Sequence, residues 1–340
     1  MKSQSRSSGC WFDAPEDSCQ KRSMTEISMG VAGVGAIGQN HARVLASLPG
    51  VRLAGIFDVD QARAAELAAA HGTRAASSLE ELASWCDAVT VAAPTVFHYE
   101  AGKALLEADR HVLIEKPITD NTEQALELSA LAQSRGLVLQ VGHIERFNPV
   151  MGLLEERLTS PRFIEAHRLS PFPNRSTDIG VVLDLMIHDL EIILHLVKSP
   201  VESVDAVGVP VLTRREDIAN ARLRFANGCV ANITASRISP ERLRKLRVFQ
   251  SDAYLSLDYQ AQEGKIYHRE GMSIVCEDVK LERDEPLKLE LAAFAECARH
   301  GLRPRVGGQE GAAALELAMR ITRLIREGGH ALDATMPFPV

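Results

Sequence analysis

Lys116, Asp184 and His188 have the residue types and settings for proton-transfer chemistry. Lys116 follows the short apolar run at 111–114 and precedes Pro117. A lysine at the carboxyl end of a parallel strand points into the crevice where open α/β sheets bind ligands. The Lys-Pro bond there is expected to be cis, since X–Pro isomers differ by only about 0.5–1 kcal/mol and packing selects between them. Asp184 and His188 are four residues apart in a strongly apolar stretch, so a helix over 181–197 places them on one face. Burying two ionisable groups without a use costs several kcal/mol. The plainer alternative is a core histidine salt-bridged to its own helical turn. A metal site from Asp184, His188 and His195 would also share that face, but no further ligand accompanies them, so no metal is expected.

A second constellation precedes this one. Gly33-Val34-Gly35-Ala36-Ile37-Gly38 fits the G-x-G-x-x-G pattern, after an apolar run and before a helix. The first glycine permits a tight turn, the second lets a pyrophosphate approach the backbone, and the third lets helix pack on sheet. Free N–H groups and the helix dipole then hold phosphates. Asp58 ends the second strand near the expected distance from Gly33. There a carboxylate binds ribose hydroxyls and repels a 2′-phosphate, which favours NAD over NADP. Arg63 is placed to approach a 2′-phosphate or to lie over the adenine. The plainer reading of Asp58 is a turn residue.

The elements that must position these groups alternate from Ile27 to residue 147. Strands are expected at 27–32, 51–57, 88–92, 111–114 and 137–141, and helices at 39–48, 61–71, 98–108 and 123–135. Ser78 and Glu81 have capping-box spacing. This rhythm implies a doubly wound parallel sheet with helices on both faces, an α/β Rossmann domain over 25–147. From 148 to 340 the pattern becomes α+β. The long helix is followed by strands at 221–225, 230–235, 247–250, 254–257 and 265–268 in an open antiparallel sheet, with Asn227-Gly228 as a hairpin turn. Helices over 287–300 and 309–326 close the chain, the last placed to pack back on the first domain.

Composition narrows the function classes. Hydrophobic residues make up 46 % of the chain and the net charge is −7, which speaks against a nucleic-acid-gripping surface. The six cysteines, Cys10, Cys19, Cys86, Cys229, Cys276 and Cys297, form no C-x-x-C pair and read as reduced, mostly buried thiols of a cytoplasmic protein. No apolar run is long enough to span a membrane. Residues 1–24 are polar and Ser-rich and read as a disordered extension without a secretory signal.

In order along the chain, Gly33–Gly38, Pro94-Thr95-Val96-Phe97-His98, Glu115-Lys116-Pro117, Gly142-His143-Ile144-Glu145-Arg146-Phe147-Asn148-Pro149 and Asp184-Leu185-Met186-Ile187-His188-Asp189 resemble the Gfo/Idh/MocA oxidoreductases of sugars and cyclitols. The resemblance implies a catalytic set of Lys116, Asp184 and His188. One group takes the hydroxyl proton of a secondary alcohol while hydride leaves for NAD. His188, oriented by Asp184, suits the base, and Lys116 suits polarising the oxygen, although the two could exchange roles. The resemblance places Pro94, Thr95, His98 and Glu115 along the cofactor, and Arg146 and Asn148 at the substrate-pocket edge.

Within the family, the stretch from Gly142-His143 through Asp189, with Ala219-Asn220-Ala221-Arg222 and Thr234-Ala235-Ser236-Arg237-Ile238-Ser239 later, looks most like the UDP-N-acetylglucosamine 3-dehydrogenases. This implies a nucleotide-sugar substrate, a 3-keto product and a partner aminotransferase in lipid A or surface polysaccharide synthesis. Arg168, Arg175, Arg237, Ser176 and Thr177 could meet the diphosphate; otherwise these arginines are surface charges. An inositol or free-sugar dehydrogenase would need no such cluster, and an NAD-sensing regulator would have lost the catalytic residues. The family also implies a homodimer or homotetramer through the C-terminal sheet.

Overall fold

The computed structural model describes residues 26–172, 179–279 and 281–329. Residues 1–24, with Arg175, Ser176 and Thr177, lie outside the described residues. The chain opens with β1 (Ile27–Ala32), α1 (Gly38–Leu45), β2 (Val51–Phe57), α2 (Gln61–Ala70), α3 (Leu79–Trp85), β3 (Ala88–Val91), α4 (His98–Glu107), β4 (His111–Glu115), α5 (Thr122–Ser134) and β5 (Leu139–Gly142). The five strands form a parallel sheet in the order β2-β1-β3-β4-β5. Order reverses at β1, so the crevice beyond β1 and β3 is the switch point where such sheets bind ligands. β3 and β4 are almost continuously apolar because helices cover both sides. At α3, Ser78 Oγ accepts from the Glu81 N–H as expected. The Glu81 carboxylate reaches one residue further back than a capping box requires, to the N–H and hydroxyl of Ser77.

The second sheet follows α6 (Val150–Arg157). It comprises β6 (Phe163–Leu169), then, after the long helix, β7 (Val201–Val209), β8 (Ile218–Phe225), β9 (Val230–Ser236), β10 (Leu243–Phe249), β11 (Ala253–Asp258), β12 (Glu263–Glu270) and β13 (Ser273–Val279). Its order is β13-β12-β11-β10-β6-β9-β8-β7. The sheet is mostly antiparallel, but β6 and β9 run parallel, which corrects the purely antiparallel expectation. Asn227-Gly228 makes the β8–β9 turn: Gly228 has φ +82° and the Asn227 side chain accepts from the Cys229 N–H.

The helix expected over 181–197 is two pieces. Val182–Met186 is a π turn, and α7 runs from Ile187 to Val197. The chain closes with α8 (Pro286–His300) and α9 (Gly308–Gly329). Both serve the first sheet. Leu287, Leu291 and Phe294 of α8 share a core with Met29, Val31, Leu45 and Leu113. Ala312 and Leu315 of α9 join the core on the other face, while Leu317 and Ile321, further along the same helix, belong to the core of the second sheet.

Candidate active site

The glycine loop has the shape its sequence requires. Gly33 has φ +86°, and a Cβ there would meet the backbone of Ala93. A Cβ on Gly38 would run into the Gly33 carbonyl oxygen, so α1 approaches the loop only with glycine there. A Cβ at Gly35 would project into open space, the volume a pyrophosphate needs. Asp58 closes the loop from the end of β2: its carboxylate accepts from the Val34 N–H at 2.6 Å and the Asp60 N–H at 2.9 Å. The residues present therefore fit a bound dinucleotide. Around them, Ile37 is exposed, the Ala36 carbonyl accepts from Asn40, and the Arg63 side chain is exposed. Pro94 and Thr95 open a short 3-10 turn after β3.

His98, expected along the cofactor, is instead a buried brace. Its Nδ1 lies 2.8 Å from the Pro117 carbonyl oxygen and its Nε2 2.8 Å from that of Ala93. A neutral ring donates to one of them and ties the end of β3 to the residues after β4. Burial holds the ring below its usual pKa. Glu115 is also enclosed. Its carboxylate meets His41 Nε2 at 3.1 Å and accepts from the Lys116 N–H. Behind it, Glu290 of α8 is buried, and neither carboxylate oxygen is hydrogen-bonded among the described residues; burial and the charge of Glu115 raise its pKa, favouring the neutral acid.

Lys116 leaves β4 through a cis Lys116–Pro117 bond, as the sequence suggested. Its Nζ donates to the Asp184 backbone oxygen at 2.7 Å and lies 3.4 Å from the Asp184 carboxylate. The expected Asp184–His188 pair is thus replaced by an Asp184–Lys116 pair. In the π turn bonding runs to the fifth residue rather than the fourth, which alters helical facing. A lysine is also a stronger partner for a carboxylate than a neutral imidazole. Burial lowers the Lys116 pKa, against the opposing pull of Asp184 and Glu115.

His188 is the second residue of α7, two residues past the end of the π turn. Its Nδ1 is sealed from solvent and has no hydrogen-bond partner among the described residues, which leaves Nε2 as the nitrogen facing the cleft. Burial holds its pKa well below the usual imidazole value, helped by the charges of Lys116 and Arg168. His143, just past β5, packs edge-on against it with ring centroids 6.1 Å apart. Both His143 nitrogens are buried without partners among the described residues, and burial, then Lys116 and Arg146, pushes its pKa down to about 3.

Beneath these groups lies a charged network. Arg168 donates to both Asp189 oxygens at 2.8 and 3.0 Å, and to Glu145 at 2.9 Å. It anchors the start of α7 to β6. Arg168 was expected to meet a diphosphate, but its guanidinium is buried and met by two internal carboxylates. Arg237 is corrected for the same reason: it is fully buried, bonded to Asp217, the Ile179 carbonyl and Thr213. Arg146 and Asn148, expected at the pocket edge, also face inward, Arg146 to Glu191 at 2.6 Å and Asn148 to Glu145 and the Tyr259 carbonyl. Sequence reasoning missed His41, His143, Glu145, Asp189, Arg244 and Glu290. His143, Glu145 and Asp189 stand inside motifs already singled out, whereas nothing local marks the others.

Comparison with known proteins decides the family. The model described as "Oxidoreductase family, NAD-binding Rossmann fold" matches residues 27–143, and the Gfo/Idh/MocA C-terminal domain matches 154–256. The UDP-N-acetylglucosamine 3-dehydrogenase of Acidithiobacillus ferrooxidans is 43 % identical over 72 % of this chain and 78 % of its own. This chain belongs to the Gfo/Idh/MocA oxidoreductases. It is an NAD-binding oxidoreductase, and the glycine loop with Asp58 lies inside the matched NAD-binding region. The solved structure of the Acidithiobacillus enzyme superposes with a TM-score of 0.85 at 38 % identity, over 88 % of this chain and 98 % of that one. The scyllo-inositol 2-dehydrogenase (NAD(+)) of Bacillus subtilis is 26 % identical over 89 % of this chain and 95 % of its own. No helix among the described residues is long and apolar enough to cross a membrane, and none of their His, Cys, Asp and Glu side chains cluster as a metal site.

Proposed function

We propose that this protein oxidises the C3 hydroxyl of UDP-N-acetylglucosamine to the 3-keto sugar nucleotide with NAD. The observation that carries the reading is the pairing of Lys116 with Asp184 at the carboxyl end of β4, with His188 close enough to feel the Lys116 charge, in a chain 43 % identical to an enzyme of that name. Bound NAD supplies the hydride acceptor. Lys116, held by Asp184, donates to the substrate oxygen and steadies the negative charge that grows there. The Nε2 of His188 takes the hydroxyl proton, since a neutral imidazole accepts one at ordinary pH. Asp184 keeps Lys116 in place and is a positioning residue. Asp58 favours NAD over NADP.

The keto product suits a partner aminotransferase in the cytoplasm that installs an amine for lipid A or surface polysaccharide. A homodimer or homotetramer through the second sheet is favoured by a row of aromatic rings across β6, β10, β11 and β12, on the face turned away from α7. Phe163 lies 5.6 Å from Phe249, Phe249 stacks on Tyr254 at 4.5 Å, and Tyr254 stacks on Tyr267 at 4.8 Å. The test is a panel of UDP-sugars, free sugars and inositols, with NAD reduction followed by absorbance. UDP-N-acetylglucosamine should be turned over well above the others. Preference for an inositol would replace the reading with a cyclitol dehydrogenase.

A further inference from the structure

With Arg168 and Arg237 committed to internal carboxylates, the cleft needs another cation if it is to receive an anionic substrate. Arg244 stands directly opposite Arg168 in the β10–β6 register, so both side chains leave the sheet on the same face, toward the start of α7. Their settings differ. Arg168 is enclosed, whereas the Arg244 side chain is half exposed. Among the described residues its guanidinium makes one hydrogen bond, from Nη1 to the Glu145 oxygen at 3.3 Å, the oxygen that Arg168 already holds at 2.9 Å. That contact is the weaker claim on an atom already satisfied. Glu145 is two residues from His143, which packs on His188, so the Arg244 guanidinium lies at the His188 end of the cleft. It is near enough for its charge to help keep His188 neutral, after burial, Lys116, Arg168 and His143. The exposed Arg242, two residues before it, adds a second positive charge at this rim.

We propose that Arg244 forms the subsite for the diphosphate of a nucleoside-diphosphate sugar, which sets the attached sugar ring against Lys116 and His188. The inference rests on the nucleotide-sugar reading above and names the group that would recognise the charged part. A planar guanidinium offers paired N–H donors that match phosphate oxygens, which a lysine at the same place would not. Arg168, pinned behind it, would keep Glu145 in place when Arg244 turns to the ligand.

The test uses the full-length protein loaded with NAD. UDP and inorganic pyrophosphate are titrated by calorimetry, and UDP-N-acetylglucosamine oxidation is followed at steady state, for wild type, Arg244→Met and Arg244→Lys. Arg244→Met should raise the sugar-nucleotide KM and weaken UDP and pyrophosphate binding by about tenfold or more, the loss expected for a charge-assisted bidentate contact. The KM for NAD should be unchanged, and Arg244→Lys should fall between. Because the side chain is half exposed, the melting temperature should stay near wild type. Unchanged UDP affinity and KM in Arg244→Met would overturn the subsite, as would a wild type that binds neither UDP nor pyrophosphate. A wild type that binds UDP through Arg244 without oxidising UDP-N-acetylglucosamine keeps the subsite and removes the proposed sugar. One that oxidises it with no dependence on Arg244 does the reverse.

Discussion

Lys116 and Asp184 meet twice: the ammonium donates to the backbone oxygen of Asp184 at 2.7 Å and stands 3.4 Å from its carboxylate. The backbone contact survives any change to the aspartate side chain, while the carboxylate contact does not. This separates the two residues functionally. Lys116→Met should lower kcat by about 10²–10⁴-fold, the range for losing a positioned proton-transfer group. Asp184→Asn should lower it less, because Lys116 keeps its backbone anchor. The double variant should lose little beyond Lys116→Met alone, since the pair acts as a unit. Additive losses in a double-mutant cycle would show that Asp184 works elsewhere.

His188→Asn should reduce kcat by a similar 10²–10⁴-fold while NAD affinity, measured by calorimetry, stays near wild type. The proposed cofactor site is the loop at Gly33–Gly38 with Asp58, not α7. If more than about a third of kcat survives with the chemical step limiting, the base is a different group, and Lys116 is the next to test.

Burial and the Lys116 charge keep His188 neutral well below its usual range, and burial also lowers the Lys116 pKa. The acid limb of kcat/KM should therefore lie below pH 6.5, and the alkaline limb below 10.5. Stability has its own acid dependence through His143, whose pKa is about 3 in the folded chain against 6.5 for a free imidazole. Between those values the unfolded chain binds the extra proton. Stability is then complete above pH 6.5 and falls as pH drops, by up to about 1.4 kcal/mol per unit. Melting temperatures of wild type and His143→Phe across pH 4–7 check this, since the phenylalanine variant should show a shallower decline.

Asp58→Ala should raise kcat/KM with NADP relative to NAD by about tenfold or more, because the carboxylate that repels a 2′-phosphate is gone. The same change removes the acceptor for the Val34 N–H, so NAD affinity should also fall. Steady-state kinetics with both cofactors measures the ratio.

Arg237→Met should act on stability rather than on substrate binding. It leaves Asp217 buried without its cation, a change that costs about 3–5 kcal/mol. Asp217 keeps the N–H groups of Val211, Leu212 and Thr213. Denaturant titration should show the loss, with the sugar-nucleotide KM little altered.

The parallel sheet was legible because each strand is a short apolar run ended by a turn signal, and β2 begins and ends where its sequence says. The glycine loop and the Asn227-Gly228 turn were legible because one residue type fits each backbone. β6 was not. Its Phe-Ile-Glu-Ala-His-Arg-Leu sequence places a buried arginine at an inward position, which looks solvent-facing until Asp189 and Glu145 are known to meet it. The partner of Asp184 was hidden for a related reason. A sequence shows the neighbour four residues on but not the lysine 68 residues earlier, which outcompetes it.

The placement of α8 and α9 bears on how the chain comes off the ribosome. All five parallel strands have been synthesised once Gly142 is made, yet the face lined by Met29, Val31 and Leu113 waits for Leu287, Leu291 and Phe294. The nucleotide-binding half is translated first and finished last. A chain cut before Pro286 leaves that face bare, so a nonsense mutation late in the message damages the cofactor site that was encoded at its beginning.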